Sequence, residues 1–558
     1  MKTKARPSKA FIWLLGILVL WGGELYSADP AALSGVVSSQ EEGQMEGVLV
    51  SARKEGSHIT VTVVSDSQGR YGFPSDRLEP GNYRLKMRAI GYDLEDPGVV
   101  KVEANQMTRL DLKLQKTKDL ASQMTNADWM LSMPDIKKRV FDDFKFGTPC
   151  IGCHSLTVVM KSKYQGNAWL PVLRRMWTYT EAALHEPGDI TLTHKRRTPA
   201  PMKPGAEKFA EFLSSINLGS RPDGTWPFEL KTLPRLTGRS TKVILTEWDL
   251  PRREAQPHDA TVDPDGMVWY ADHSNPYIGR LNPRTGEFKE WLSPTANPDH
   301  PEHQTTNTIR IGPEGNPWMG VSGGVAKFDK KTEKFTVWEG VGGGPVASDG
   351  MVWGRTQPRT AGDPRGLSGG EVTRLNPKTG EIKRYPYPDR PARFYGYEPD
   401  SRGNLYLASL QLSEIGVLNG KTGAWELYPT PTPDAGTRRG NVDSQDRFWF
   451  AEYYVGKIGM FDPKTKQIKE WPVASEPFLG GIYCVVGVDK NGEVWGGGEF
   501  TEYVVRLNPE TGEVTTYPGS SDGYMQIQKI DLDHSATSVA IWYGQSHLGR
   551  IARLEPLD

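Results

Sequence analysis

Between residues 34 and 116 apolar and polar side chains alternate, in stretches such as "MEGVLVSAR" and "NYRLKMRAIGY" separated by "DSQGR" and "LEPGN". A period of two puts one face of each stretch in a core and the other in water, which predicts short antiparallel strands joined by tight turns. The rhythm changes near residue 120. In "ADWMLSMPDIKKRVFDDFK" and "GAEKFAEFLSSIN" the apolar positions fall at helical spacing, and "FGTPCIGCHSL" lies between them. Residues 120–222 therefore read as a small helical domain.

From residue 237 a block repeats. "GRLNPRTGEFKEW" begins at 279 and recurs as "AKFDKKTEKFTVW" at 326, "TRLNPKTGEIKRY" at 373, "GVLNGKTGAWELY" at 416, "GMFDPKTKQIKEW" at 459 and "VRLNPETGEVTTY" at 505, a spacing of 43 to 47 residues. That is the length of one four-stranded propeller blade. An aromatic marks the same place in each unit: Trp269, Trp318, Trp353, Tyr406, Trp449, Trp495 and Trp542. The chain ends on "ARLEPLD", a third strand without its fourth, while "KVILTEWDLP" at 242–251 is a fourth strand without its first three. Joining the two predicts a ring of seven blades with no free sheet edge.

The turns locate the working face of that ring. Links between first and second strands ("DPDG", "DKNG") and between third and fourth ("NPxTGE") are tight and fall on one face. The opposite face carries long links, 293–307 and 355–371, and long loops in compact domains carry function. Stepping back 11 residues from each marker gives the mouth of the central channel on that face: His258, Asn307, Gly342, Tyr395, Arg438, Cys484 and a position near Asp531. Three residues past the marker gives a second ring: Asp272, Val321, Thr356, Ser409, Glu452, Gly498 and Gln545. His258, His273, His300 and His303 crowd the first unit and its outgoing loop, so a divalent metal or a polar ligand at His258, Asp272, His273 and Glu452 is one expectation. Solvated loop histidines with one hydrogen-bonded His258 is the other. Cys484 reads as a small buried hydrophobe.

Composition agrees with a mainly β chain: 60 glycines, 42 prolines, 17 tryptophans and 21 tyrosines in 558 residues. The net charge of -1, with both signs interspersed, gives no nucleic-acid footprint. At the N-terminus Lys2, Lys4, Arg6 and Lys9 precede a short apolar run from Phe11 to Trp21, with small residues at Ser27 and Ala28. That is the pattern of an export signal over residues 1–28, and it predicts a periplasmic or secreted protein with no stable membrane span after cleavage.

Three cysteines are too few for a disulfide scaffold. Cys150-Ile151-Gly152-Cys153-His154 lacks a second CxxC for zinc and a βαβ context for a thioredoxin-like redox pair. The remaining reading is covalent haem c, with thioethers at Cys150 and Cys153 and His154 on the iron. The surrounding segment resembles a small cytochrome c domain. That resemblance implies a second axial ligand in a loop before a closing helix at 205–217. Met202 in "TPAPMKPG" is the first choice, with His185, His194, Met160, Met176 and an open sixth position as alternatives.

Two further resemblances follow from quoted residues. Asp66 to Phe73 ("DSQGRYGF"), "LEPGNY" at 78–83 and Gly91-Tyr92 resemble a carboxypeptidase regulatory-like domain, which implies a small accessory β-sandwich over 30–117. "QPHDATVDPDGMVWYAD" at 256–272 and "RFWFAEYYVGKIG" at 447–459 resemble the virginiamycin B lyase family over the whole of 237–558. That family opens a cyclic depsipeptide by elimination with a magnesium ion, a histidine base and nearby glutamates. Carried over, His258 is the base and Asp272 the shortened carboxylate. Gln256 stands where an acid is expected, and Gln526 and Gln528 stand where the preceding unit would offer a histidine. Two functions are thus implied. One is an exported electron-transfer haem protein whose loop-rich propeller face receives a redox partner or a small-molecule or peptide substrate. The other is a carbon-oxygen lyase, possessing Mg2+, to which the haem domain is accessory.

Overall fold

The computed structural model describes residues 31–134, 155–186, 189–195, 202, 205–252, 254–273, 275–296, 306, 308–356, 370–388, 394–473, 482–498, 503–523, 527–534 and 536–558. Residues 1–30, which include the export signal expected over 1–28, lie outside them. The fold is mainly β.

The N-terminal strands build a sandwich. Ala31–Ser39 runs antiparallel to Arg70–Pro74 and parallel to Leu112–Lys116, which pairs in turn with Tyr92–Leu94. The facing sheet is ordered Val99–Val102, Gly81–Arg88, Leu49–Lys54, Ile59–Val64. The alternation read in the sequence sorts its side chains. Val50, Ala52, Val61 and Val63 point inward to meet Leu33, Val37, Phe73 and Leu112, while Leu49 and Val64 point the other way.

Four short helices follow the sandwich's last strand closely: Leu120–Gln123, Asn126–Ser132, Leu156–Met160 and Trp169–Thr178, with Ala206–Ile216 closing the segment. Thr125 and Asp128 form a reciprocal capping box at the start of the second helix. Trp129, Met130, Met160, Trp169, Leu173 and Leu213 form the apolar cluster these helices share. One element differs from the sequence expectation. The stretch before the closing helix contains an antiparallel hairpin, Tyr179–Glu186 with Asp189–Lys195, where helix and loop were expected.

From residue 257 onward the chain forms propeller-like antiparallel meanders. The first is Pro257–Val262, Val268–Asp272, Tyr277–Leu281, Phe288–Leu292. Equivalent sheets span 309–339, 394–429, 437–472 and 482–518. In the last, Ile527–Leu532, Ile541–Gln545 and Arg550–Pro556 are completed by Val243–Asp249, as the sequence pattern implies. The sheet over 352–386 has three strands, and where an inner strand was expected there is the glycine-rich stretch before a lone bridge between Val346 and Val352.

The repeated residues explain the repeated shape. In the first meander Asp263 opens the inner turn, and its Oδ1 accepts from the amides of Asp265 and Met267. Its Oδ2 accepts from the marker indole, Trp269 Nε1, at 2.9 Å. Asp443 with Trp449 and Asp489 with Trp495 repeat the arrangement at 2.8 and 2.7 Å. In several meanders the marker ring stacks on the aromatic ending its outer strand, Trp269 on Trp291 at 5.5 Å and Trp449 on Trp471 at 5.4 Å. In the outer hairpin Gly286, at φ 75°, takes the left-handed position that completes the "NPRTG" turn.

The sandwich is not a separate bead. Val243–Asp249 pairs on its other edge with Ile59–Val64, so the last meander and one sandwich sheet are a single eight-stranded sheet. Among the described residues no helix is long and apolar enough to cross a membrane.

Candidate functional site

Inner strands begin irregularly, and the irregularity makes the site. Pro257 pairs with Asp272 and Asp259 with Ala271, so His258 is an extra residue in the ladder. The same bulge recurs where Phe394 and Gly396 bracket Tyr395, where Thr437 and Gly440 bracket Arg438 and Arg439, and where Ile527 and Ile530 bracket Gln528 and Lys529. A bulged residue leaves the pleat and re-aims its side chain. His258, Tyr395, Arg439 and Gln528 line a cavity of about 670 Å³ at the centre of the meanders.

Neighbouring units complete the wall. Arg310 and Thr308 come from the second meander, Arg355 and the backbone of Gly342 to Gly344 from the three-stranded sheet, and Tyr397 and Glu398 from the strand after it. The glycines are required there. A Cβ on Gly343 would stand 2.3 Å from the Gly320 Cα, and one on Gly344 would stand 2.6 Å from the Tyr397 ring.

His258 is held between an acid and a guanidinium. Its Nδ1 lies 2.6 Å from Asp259 Oδ1, and its Nε2 lies 3.3 Å from Arg439 Nη2. A guanidinium only donates, so Nε2 is the acceptor and Nδ1 carries the proton toward Asp259. Burial, then the Arg439 charge, push the imidazole down to about 3, so it is neutral across the physiological range. Asp259 also accepts from Arg310 Nη1 at 2.9 Å, and Arg310 reaches Glu398 at 3.5 Å. Burial opposes ionisation of Asp259, yet His258, Lys529 and Arg310 hold its carboxyl below the usual range. Burial drives Glu398 up and Lys529 down, both toward their neutral forms. The His273 ring stands 5.0 Å from that of His258.

A second aromatic and cationic stack leads outward. The Arg438 guanidinium lies between the Tyr395 ring at 4.1 Å and the Tyr453 ring at 4.3 Å, and Tyr453 packs on the apolar cluster of the helices. The cavity wall and the helical segment are thus in contact through three side chains.

No curated protein matches the chain. Residues 32–115 match the model of the carboxypeptidase regulatory-like domain. Among solved structures, a streptogramin B lyase is 21% identical with a TM-score of 0.48, over 57% of this chain and 99% of that one. Virginiamycin B lyase from Staphylococcus aureus is 19% identical with a TM-score of 0.45, over 56% of this chain and 99% of that one. A catalytically inactive form of the same enzyme with quinupristin is 18% identical with a TM-score of 0.48, over 56% and 99%. The likeness is one of fold at low identity.

The carboxypeptidase regulatory-like domain supplies none of the cavity's lining. Of the residues singled out in the sequence, His258, His273, Gly342, Tyr395, Val321, Thr356 and Gln528 do line it. Asp272 does not. It is fully buried beside the cavity, where Arg252 Nη2 at 2.5 Å, the Gln256 amide at 3.1 Å and the Asn275 amide at 3.1 Å hold its carboxylate. Glu452 is buried in another meander, and burial with the neighbouring Glu470 carboxylate pushes it up to about 8. His258, Asp272, His273 and Glu452 are therefore not one constellation, and among the described residues no group of three acids, histidines or cysteines could hold a metal ion. That donor set does not fit the magnesium of the lyase resemblance. Arg438 stacks behind the wall, and Cys484 is buried, its thiol pushed up by burial. Asp531 accepts from Thr261 Oγ1 at 2.6 Å. Arg310, Arg355, Arg439, Glu398 and Asp259 were not foreseen. Asp259 and Arg439 stand ten residues before their markers, one step from the positions the repeat singled out.

Cys150, Cys153, His154, His300, His303, Asn307 and Gln526 lie outside the described residues, as do most of both long links. Met202 is 39% exposed, Met160 is buried in the helical cluster, and His185 and His194 fall on the hairpin strands.

Proposed function

We propose that this is an exported c-type haem protein with an electron-transfer role, whose meanders close into a seven-bladed propeller with a ligand cavity at its mouth. The observation that carries the haem reading is the Cys150-Ile151-Gly152-Cys153-His154 motif, set between helices that share an apolar cluster. In this reading Cys150 and Cys153 hold the porphyrin covalently, His154 binds its iron, and Met202 is the sixth ligand. Bound there, haem supplies a one-electron couple. The chain's own contribution is position: Ser155 caps the helix Leu156–Met160 directly after His154, and Tyr453 fastens the helical segment beside the cavity. The apolar run and basic residues of the N-terminus support export, and the sandwich match agrees with it. The expected result is a pyridine haemochrome band in protein purified from the periplasm, lost when Cys150→Ala is combined with Cys153→Ala. A wild-type chain without the band defeats the reading.

A second reading, a lyase acting on a cyclic depsipeptide, is favoured by one observation, the imidazole of His258 in the cavity wall. Its Nε2 faces Arg439, so a proton could reach it only after that guanidinium withdrew. Ring opening of a streptogramin B by the wild type and not by His258→Ala would support it, and an untouched substrate would end it.

A further inference from the structure

We propose that the Lys529 amine is a nucleophile beside the cavity and forms an imine with a small uncharged aldehyde held there. This rests on the reading of the cavity as a ligand site, not on the haem, and adds the chemistry done on what it takes. The bulge bracketed by Ile527 and Ile530 puts Gln528 in the cavity lining and Lys529 next to it. Lys529 is partly exposed although Ile527, Gln528 and Ile530 are buried, so its side chain faces open space between the meanders. Two residues of the lining, Arg310 and Glu398, stand close enough to act on its charge. Among the described residues the Lys529 amine has neither a hydrogen bond nor a paired carboxylate, since the acids near it serve other groups. Asp259 accepts from His258 Nδ1 and Arg310 Nη1, at 2.6 and 2.9 Å, and Asp531 accepts from Thr261 Oγ1 at 2.6 Å. Glu398 faces Arg310 at 3.5 Å.

That setting suits an amine that attacks carbon. An ammonium has no lone pair to give, and a lysine becomes a nucleophile where burial or a neighbouring cation disfavours its charge. Both act on Lys529: burial first, then the Arg310 guanidinium, hold it below the ordinary lysine value against the opposing pull of Asp531, Asp259 and Glu398. Glu398 is the complementary group, because burial raises its carboxyl toward the protonated form and makes it a proton donor. In the step itself the Lys529 nitrogen bonds the carbonyl carbon, and the proton it loses passes to the carbonyl oxygen, giving a carbinolamine. The Glu398 carboxyl then protonates the hydroxyl, which leaves as water, and the iminium returns a proton to the carboxylate, leaving the imine. No electrons are gained or lost overall. The lining offers a charged ligand little, as Arg310 already donates to Asp259 and Arg439 to the Gln528 carbonyl at 2.5 Å. A cavity of about 670 Å³ takes a small neutral molecule readily.

Reductive trapping on the full-length chain tests this, with benzaldehyde and cyanoborohydride near neutral pH followed by peptide mass spectrometry. The hydride converts an imine to a stable benzyl amine. Lys529 is expected to be benzylated about ten-fold faster than Lys378, Lys421 and Lys464, exposed lysines of the outer hairpins, at a rate that saturates as the aldehyde is raised. Glu398→Gln is expected to slow Lys529 about ten-fold and to leave the three hairpin lysines unchanged. Thermal unfolding establishes that this variant is folded, and the comparison within the wild type decides the matter if it is not. Labelling of Lys529 no faster than of the hairpin lysines overturns the proposal, even where a ligand binds the cavity. Unchanged labelling in a folded Glu398→Gln chain overturns the part given to that acid. Fast labelling that does not saturate supports the amine and removes the cavity reading instead.

Discussion

His258 occupies a place its partner strand skips, and that accident of register gives it two neighbours a regular ladder would deny it, Asp259 and Arg439. Its charge state follows. The unfolded imidazole titrates near 6.5 and the folded one near 3, so the unfolded chain binds the extra proton between those values. Stability that is complete above the unfolded value is lost as pH falls through that window. Chemical denaturation from neutral pH downward is expected to show this loss, and His258→Gln to reduce it. Glu452 works in the opposite sense. Burial and Glu470 raise it from 4.5 to about 8, so the folded chain keeps a proton that the unfolded chain releases. Its contribution is complete below the unfolded value and lost as pH rises through the folded one. Glu452→Gln is expected to abolish that loss in chemical denaturation carried from about pH 4.5 up to about pH 8; an unchanged profile would refute the assignment. The sequence exposed the position of His258 through its distance from the marker tryptophan. It could not expose Arg439, because a bulge adds a residue without leaving any mark in composition.

At the scale of elements, the meanders of Asp263, Asp443 and Asp489 are each organised by an aspartate that serves its turn and its tryptophan at once. Asp443 accepts from the Gln445 and Arg447 amides at 2.9 and 3.0 Å and from Trp449 Nε1 at 2.8 Å, so Asp443→Ala strips one buried indole and two turn amides of their acceptor. A loss of about 2–3 kcal/mol in urea unfolding is expected. This device was legible because it repeats: "DPDG" followed by a tryptophan at fixed distance is visible without a structure. The inner strand absent before Val346 was hidden, since the period assigned a strand to a stretch whose glycines resist one. The hairpin at 179–195 carried its own signal in the sequence, a Pro-Gly pair between runs with threonine and isoleucine, which the helices on either side obscured.

For the whole molecule, the strand Val243–Asp249 belongs to two bodies at once. One edge closes the last meander against Arg550–Pro556, and the other joins the sandwich through Ile59–Val64. Its faces are divided the same way: Ile244 packs in the sandwich core, while Val243 and Leu245 pack with Trp495 and Tyr517. Leu49 and Val64 cross from the sandwich into that second cluster, and Arg77 with Glu555 at 3.0 Å and Arg53 with Asp249 at 2.6 Å tie the rim. A joint made of ladder hydrogen bonds and shared core does not behave as a linker, so sandwich and meanders should unfold as one cooperative unit. Thr62→Pro puts this to the test. Thr62 lies between Ser51 and Leu245 in a central strand, where proline removes a ladder donor and costs about 3 kcal/mol or more. The expected outcome is a single calorimetric transition in the wild type and a single, lower one in the variant, with the meanders' tryptophan fluorescence lost at the same temperature. Two separate transitions, or a fluorescence midpoint that ignores the substitution, would show that the shared strand does not couple the two bodies.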